Sequence, residues 1–470
     1  MGLDSAIYLL FLGFVAVVHT WIPGRWRVTA LLGASLIFYA ASSINYLILL
    51  LGLCSFNYGA VSYLSRILDQ RRRTCIFAGA VMANLTALIA FKYAGAFIGE
   101  GLARFGWHGQ GTEVIPWVIP LGLSYFTLQM LACVTDAYRR TWKLDQGFTQ
   151  FVLFGLFFPQ ISSGPIPRAE RLLPQLASGG CPTAEDRLAG LRLIAYGLFK
   201  KYVVANRLNE YVSIIFTVPS GIGTLPALLA CGFNALQLYA DFSGYVDIAI
   251  GSARLLGIRL NPNFDRPLSS TSVTELWRRW HMTLSFWLRD YLYMPLLIRI
   301  RIFGKLGVVL TLVITFAICG IWHAATWTYL LFGISQGLAM SVEFLTKSWR
   351  AKRLKRLPKR LVAWAGNIYT LGFFALAQVL FRAANLSQAR GIYSRMFHLQ
   401  MSGMFTASPE GKPYFLALDC AAIGVGIGVA FFYHRTSDRP TSTPWFVLLC
   451  ALSILFFGHL GSAHFIYAAF

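Results

Sequence analysis

The stretch LGVVLTLVITFAICGIWHAATWTYLLFGISQGLAMSVEFLT, residues 306–346, decides the fold. No lysine or arginine interrupts it, and its halves, 306–322 and 325–346, each approach the ~20 apolar residues that a helix needs to cross a bilayer. Arg299, Arg301 and Lys305 precede it, and SWRAKRLKRLPKR at 348–360, with seven basic residues and no acid, follows it. Basic flanks mark the cytoplasmic side. The stretch therefore reads as a membrane hairpin with both ends cytoplasmic and His323 at the far bend. An ionisable side chain at membrane depth is a functional candidate by default.

The whole chain agrees with this reading. Of its 470 residues 56% are hydrophobic and 13% charged, against ~25% charged in an ordinary soluble domain, and the mean hydropathy is +0.58. Apolar runs recur from about residue 3 to about 465, which predicts an all-α polytopic integral membrane protein of about 11 to 13 helices, some re-entrant or broken. The first run, opening MGLDSAIYLL, lacks a cationic leader and is expected to stay as the first helix. A net charge of +22 would suit nucleic acid, but the cations lie in short loops between apolar runs, so lipid headgroups are the expected partner and nucleic acid is not. Eight scattered cysteines show no metal-binding spacing and read as small apolar residues, with no metal expected.

Loop charge also orients the chain. Arg25 and Arg27, the cluster Arg66, Arg71, Arg72 and Arg73, and the group Arg139, Arg140 and Lys143 are cytoplasmic by the positive-inside rule, whereas 42–44 and 99–115 carry almost no positive charge. Both termini are then extracytoplasmic. One apolar run lies between Arg140 and Arg168, yet both its ends are basic, and it closes on FPQISSGPIPR with three prolines; a broken or re-entrant helix is expected there. Residues 384–413 read as a polar extracytoplasmic excursion, and no internal repeat of the transporter kind is present.

Three groups of residues can carry chemistry. Segment 271–290, TSVTELWRRWHMTLSFWLRD, opens with a helix-capping pattern and interleaves tryptophan with arginine. It predicts an interfacial amphipathic helix with Trp277, Trp280, His281, Leu284, Trp287 and Leu288 on one face and Arg278, Arg289 and Asp290 placed to meet headgroups or an anionic ligand. His323 lies between Trp322 and Trp327, where a desolvated neutral imidazole is suited to accept a proton, although a buried structural histidine fits the same position. The run 225–256 holds Asn234, Gln237, Tyr239, Asp241, Ser243, Tyr245 and Asp247, too many polar groups for a lipid-facing helix. Asp241 or Asp247 either orients a histidine or pairs with an arginine such as Arg254 or Arg266.

Five blocks taken together resemble the membrane-bound O-acyltransferases, in the bacterial branch that acetylates alginate and transfers D-alanine to teichoic acids. They are SYFTLQMLACVTDAYR (124–139), FFPQISSGPIPRAERLLPQL (157–176), LQLYADFSGYVDIAIGSARLLGIRLNPNFDRP (236–267), ELWRRWHMTLSFWLRDYLYMPL (275–296) and GIWHAATWTYLLFG (320–333). The resemblance implies N-terminal membrane helices over 1–115, a catalytic core over 116–383 built around a central tunnel, and an extracytoplasmic segment with C-terminal helices over 384–470. It further implies His323 as the active-site histidine and His281 as a second one. Its donor would be a cytoplasmic acyl thioester such as acetyl-CoA, with phosphates held by Arg278, Arg279 and Arg289, and Trp322 and Trp327 would keep water out.

The same resemblance implies residence in a bacterial inner membrane, a periplasmic SGNH-hydrolase-like partner and a polysaccharide synthase complex. Phe465, Tyr467 and Phe470 are candidates for docking that partner. Two departures stand out: Ala324 replaces a glycine common in the family, and LIRIRIFGK (297–305) replaces its usual glycine- and asparagine-bearing stretch. They favour a cellulose-type exopolysaccharide over alginate as the acetylated glycan. A transporter or flippase of a glycan, and a lipid or protein acyltransferase, are the competing readings.

Overall fold

A computed structural model describes residues 2–93, 119–217, 223–397, 414–436 and 443–459. The tail residues Phe465, Tyr467 and Phe470, the loop 99–115 and the part of the 384–413 excursion beyond 397 lie outside the described residues. Among the described residues every regular element is helical. They fall into two compact units, one from Met1–Ile194 and Ile248–Asn261, the other from Ala195–Asp247 and Pro262–Ile466.

The first unit contains α1 (Ala6–Trp21), α2 (Gly24–Ala40), α3 (Ile44–Arg66), α4 (Gln70–Lys92), α5 (Leu123–Arg139), α6 (Phe148–Leu156), α7 (Ala169–Ala177) and the start of α8 (Ala184–Phe199). Short polar residues set several starts: the Ser5 hydroxyl accepts from Tyr8 N at 3.2 Å and the Asp69 carboxylate from Arg72 N at 3.0 Å. Asn57 and Asn84 exchange side-chain hydrogen bonds of 3.1 and 2.8 Å, which clasp α3 to α4 where no water competes. Arg73, read from sequence as loop charge, is buried instead. Its guanidinium donates to the carbonyls of Leu64, Ile67, Ala137 and Tyr138 and so ties the ends of α3 and α5 together. The helix break expected between Arg140 and Arg168 is present: α6 ends at Leu156, because Pro159 cannot donate to the carbonyl of Gly155, and the chain restarts as a single turn, Phe158–Ile161.

The second unit contains α9 (Asn206–Thr217), most of α10 (Thr224–Leu255), α11 (Val273–Arg279), α12 (Met282–Leu288), α13 (Met294–Ile300), α14 (Gly304–His323), α15 (Trp327–Leu354), α16 (Lys359–Arg382), α17 (Leu386–Phe397), α18 (Tyr414–Thr436) and α19 (Thr443–Phe457). The run 306–346 forms the expected hairpin, α14 and α15 joined by residues 324–326, of which Ala324 and Thr326 are extended. Its two helices meet backbone to backbone. A Cβ on Gly320 would strike the carbonyl of Tyr329, and one on Gly333 the carbonyl of Phe316. We expect Gly333→Leu to prevent this hairpin from closing and to remove the protein from the monodisperse peak in size-exclusion chromatography; a wild-type profile would show that the helices separate at little cost.

Five segments of the described residues are long and apolar enough to cross a membrane: Ile44–Arg66, Gln70–Lys92, Met282–His323, Trp327–Leu354 and Lys359–Arg382. Ala6–Trp21, Phe148–Ile161, Cys420–Arg435 and Thr443–Phe457 are shorter apolar helices. The protein is thus an all-α polytopic membrane protein in which several apolar runs fold as short or interrupted helices. Of the cysteines, Cys54, Cys133, Cys231, Cys319 and Cys450 are buried, while Cys75, Cys181 and Cys420 are exposed.

Candidate active site

All the candidate chemistry lies in the second unit. α14 ends on His323 because the chain turns extended at Ala324, where φ is −158° and ψ 145°. The His323 side chain is 2% exposed, so the bend holds an ionisable ring away from water. Trp322 packs on that ring at 4.8 Å, Phe381 of α16 meets it edge-on at 5.2 Å, and Tyr329 lies at 6.4 Å. Phe381 in turn packs against Tyr329 at 4.8 Å and Phe332 at 5.2 Å, which closes an aromatic wall. Trp327 does not belong to it. Its side chain is 70% exposed, since it starts α15 and projects outward, and Phe381 and Tyr329 occupy the place that the sequence pattern suggested for it.

His281 is also buried, at 1% exposure, but the expected continuous helix through it does not form. The chain breaks between α11 and α12, with His281 in the left-handed region at φ +44°. Asn263 causes the break. Its main-chain carbonyl accepts from Met282 N at 2.9 Å, and its side-chain oxygen accepts from Thr283 N at 3.0 Å and Thr283 Oγ1 at 2.8 Å. The same oxygen lies 3.3 Å from His281 Nδ1, and Phe242 meets the imidazole edge-on at 4.8 Å. Burial holds the His281 imidazole well below its ordinary pKa, hence neutral. A non-glycine residue held left-handed stores roughly 1–3 kcal/mol, a pattern typical of functional sites.

Asparagine tolerates this backbone region better than most residues. His281→Asn is therefore expected to keep the wild-type melting temperature while acyl transfer falls by about tenfold or more. Full activity in that variant would leave His281 a residue of the helix break alone.

The arginines separate into two roles. Arg279 bonds Glu275 at 2.9 Å across one helical turn, within the cap where Glu275 also accepts from Thr271 N at 2.9 Å. Burial pushes the Glu275 carboxyl up, but the bonds from Thr271 and Arg279 outweigh it and hold the group below the usual range. Arg278 and Arg289 instead line a cavity of about 1000 Å³, together with Lys347, Arg350, Trp277 and Phe316. Arg289 also bonds its neighbour Asp290 at 2.7 Å. Phe316, in the cavity wall, precedes His323 by seven residues on α14, which is about 10 Å of helix rise. Glu343 fixes the opposite wall: its buried carboxylate accepts from Val273 N at 2.6 Å and Thr274 N at 2.9 Å, and so anchors the first turn of α11.

Asp241 and Asp247 pair with lysines, not with the arginines or histidines considered for them. Lys201 Nζ lies 2.7 Å from Asp241 Oδ1, and Lys200 Nζ 2.7 Å from Asp247 Oδ2. Arg254 pairs with Asp186, and Arg266 with Asp265. Both lysines sit in a π-helical turn, Lys200–Ala205, whose wider winding turns adjacent residues toward α10. No local motif marks Lys200, Lys201, Asn263, Glu343 or Phe381. The two lysines inside the apolar run 190–216 were the available signal.

A buried imidazole in an aromatic wall and, seven residues earlier on the same membrane helix, the wall of a cavity that carries four cations and two carboxylates are arrangements suited to chemistry within a bilayer. Residues 35–383 match the membrane-bound O-acyltransferase family, and the chain belongs to it. It is 31% identical over 421 residues to the peptidoglycan O-acetyltransferase of Helicobacter pylori, covering 83% of this chain and 77% of that one. It is also 31% identical over 434 residues to the probable alginate O-acetylase of Azotobacter vinelandii, covering 90% and 83%. With the teichoic acid D-alanyltransferase of Bacillus subtilis it shares 28% identity over 318 residues, covering 66% and 78%. The protein is a membrane acyltransferase, and a pure transporter or flippase is set aside.

Proposed function

We propose that this acyltransferase takes an acetyl group from a cytoplasmic thioester, acetyl-CoA or a similar carrier, and passes it through the inner membrane for O-acetylation of an extracytoplasmic glycan. The observation that carries the proposal is the placement of His323: a buried ring on the helix whose other turns line the cation-bearing cavity. Arg278, Arg289, Lys347 and Arg350 supply the charge to hold donor phosphates, and Trp277 and Phe316 an apolar path for the thioester arm.

Neutral His323 accepts the proton of an acceptor hydroxyl as its oxygen attacks the acetyl carbonyl. The C–O bond forms, the C–S bond breaks, and the imidazolium returns its proton to the departing thiolate. Trp322, Tyr329 and Phe381 enclose the ring and suppress attack by water. His281 supports the donor side. The relatives act on peptidoglycan, alginate and teichoic acid by name; the altered stretch 297–305 favours a cellulose-type exopolysaccharide here. A periplasmic SGNH-hydrolase-like protein working with a polysaccharide synthase would complete the transfer, and both termini of the chain would face the periplasm.

The test is release of coenzyme A from labelled acetyl-CoA by the purified full-length protein, with and without membranes that contain the glycan. Release that needs neither His323 nor an acceptor overturns the proposal.

A further inference from the structure

Three cations reach the polar side chains of α10, namely Lys200, Lys201 and Arg382, and the first two are matched by opposite charges. Lys200 and Lys201 each bond a carboxylate at 2.7 Å. Arg382, the last residue of α16, bonds only neutral oxygens: Gln237 Oε1 at 2.7 Å, Asn234 Oδ1 at 3.5 Å, Asn209 Oδ1 at 3.0 Å and Ser213 Oγ at 2.9 Å. Its guanidinium also lies 5.5 Å over the Phe216 ring. The carboxylate whose field reaches it, that of Asp241, is already bonded to Lys201. Two helices thus hold the guanidinium in one orientation and leave its charge uncancelled. Arg382 is half-buried, so part of its charge is withdrawn from solvent at a cost that a carboxylate at any of these four positions would offset, and a purely structural helix end does not need that arrangement.

The position of Arg382 gives the charge a use. The preceding residue, Phe381, packs on the His323 ring at 5.2 Å. α16 is 24 residues long, about 36 Å of rise, and Arg382 is at the opposite end from Lys359, which follows the basic segment after the cavity residues Lys347 and Arg350. The donor cavity, whose wall includes Lys347 and Arg350 in the last turns of α15, therefore lies toward the start of α16, and Arg382 is at that helix's other end. We propose that Arg382 binds an oxyanion, a carboxylate or phosphate, carried by the first acceptor of the acetyl group rather than by the neutral glycan, and so positions that acceptor beside His323. A guanidinium is suited to this because its planar fork meets either anion through paired hydrogen bonds. The inference rests on His323 being the centre of transfer.

The experiment uses purified full-length protein without turnover. Succinate and inorganic phosphate are titrated separately at constant ionic strength in chloride, and the melting temperature is followed. Wild type is expected to show a saturable rise with at least one of them, and the part of the rise that Gln237→Glu removes is the reading, since the cavity of Arg278 and Arg289 also takes phosphate; loss with succinate alone assigns a carboxylate, with phosphate alone a phosphate, and with both an oxyanion of either kind. Gln237→Glu places a carboxylate against Arg382 from within the fold. That variant should melt at or above wild type without added anion, and its affinity for the anion should fall by about tenfold or more. Arg382→Lys, which keeps the charge but loses the fork, should retain a weaker response. A Gln237→Glu protein that responds like wild type, or a wild type with no response beyond chloride, overturns the proposal. Because no acetyl transfer is read, a failure of the His323 assignment shows up separately, in the coenzyme A assay.

Discussion

Replacing His323 with alanine is expected to lower acyl transfer by at least about 10²- to 10⁴-fold, the usual contribution of a positioned general base. The protein should still accumulate in the membrane. The wall around the ring comes from three separate points, Trp322, Tyr329 and Phe381, and Phe381 also packs on Tyr329 and Phe332. Loss of the imidazole therefore leaves a small void in a wall that supports itself. His323→Gln provides the companion variant, since it fills most of the volume with a side chain that cannot take a proton. Glycan acetylation in cells and coenzyme A release by purified protein should fall together in both variants. Undiminished transfer in either one removes His323 from the chemistry. A fall confined to the alanine variant would assign the ring to packing instead.

How much of this site is legible in the sequence depends on how far apart the interacting residues lie. The α14–α15 hairpin is readable because its signals are local, an apolar run with basic flanks, and the break after Leu156 is readable because Pro159 lacks the required N–H. The break at His281 is hidden. Trp277, Trp280 and Leu284 keep helical spacing through it, and the group that opens the chain, Asn263, is 18 residues upstream of His281. Proximity in sequence to His323 points to Trp327, which is 70% exposed, whereas Phe381, the ring that packs there, arrives from another helix. Long-range pairing also hid the partners of the aspartates. Lys201 and Asp241 are separated by 40 residues, and one turn of π-helix decides that Lys200 and Lys201 both face α10.

That pairing leads to the largest expected loss of stability. Lys201 and Asp241 are each 2% exposed and share a 2.7 Å bond. Lys201→Met removes one charge and leaves the other buried, which in comparable pairs costs roughly 3–5 kcal/mol. The variant should accumulate poorly and melt well below wild type after mild detergent extraction. Lys200→Met should do less harm, because Asp247 is 20% exposed and its charge keeps some solvent. The double variant Lys201→Met with Asp241→Leu separates a structural pair from a functional one. If the pair serves only to close the fold, an apolar replacement of similar volume should restore most of the stability, and transfer should recover with it. If Asp241 also acts electrostatically on Arg382, whose field it shares, the double variant should fold yet bind the acceptor-side anion differently from wild type. A Lys201→Met protein that melts like wild type would mean that the membrane interior around α10 admits enough water to solvate Asp241, and the charge balance on which Arg382 stands out would have to be drawn again.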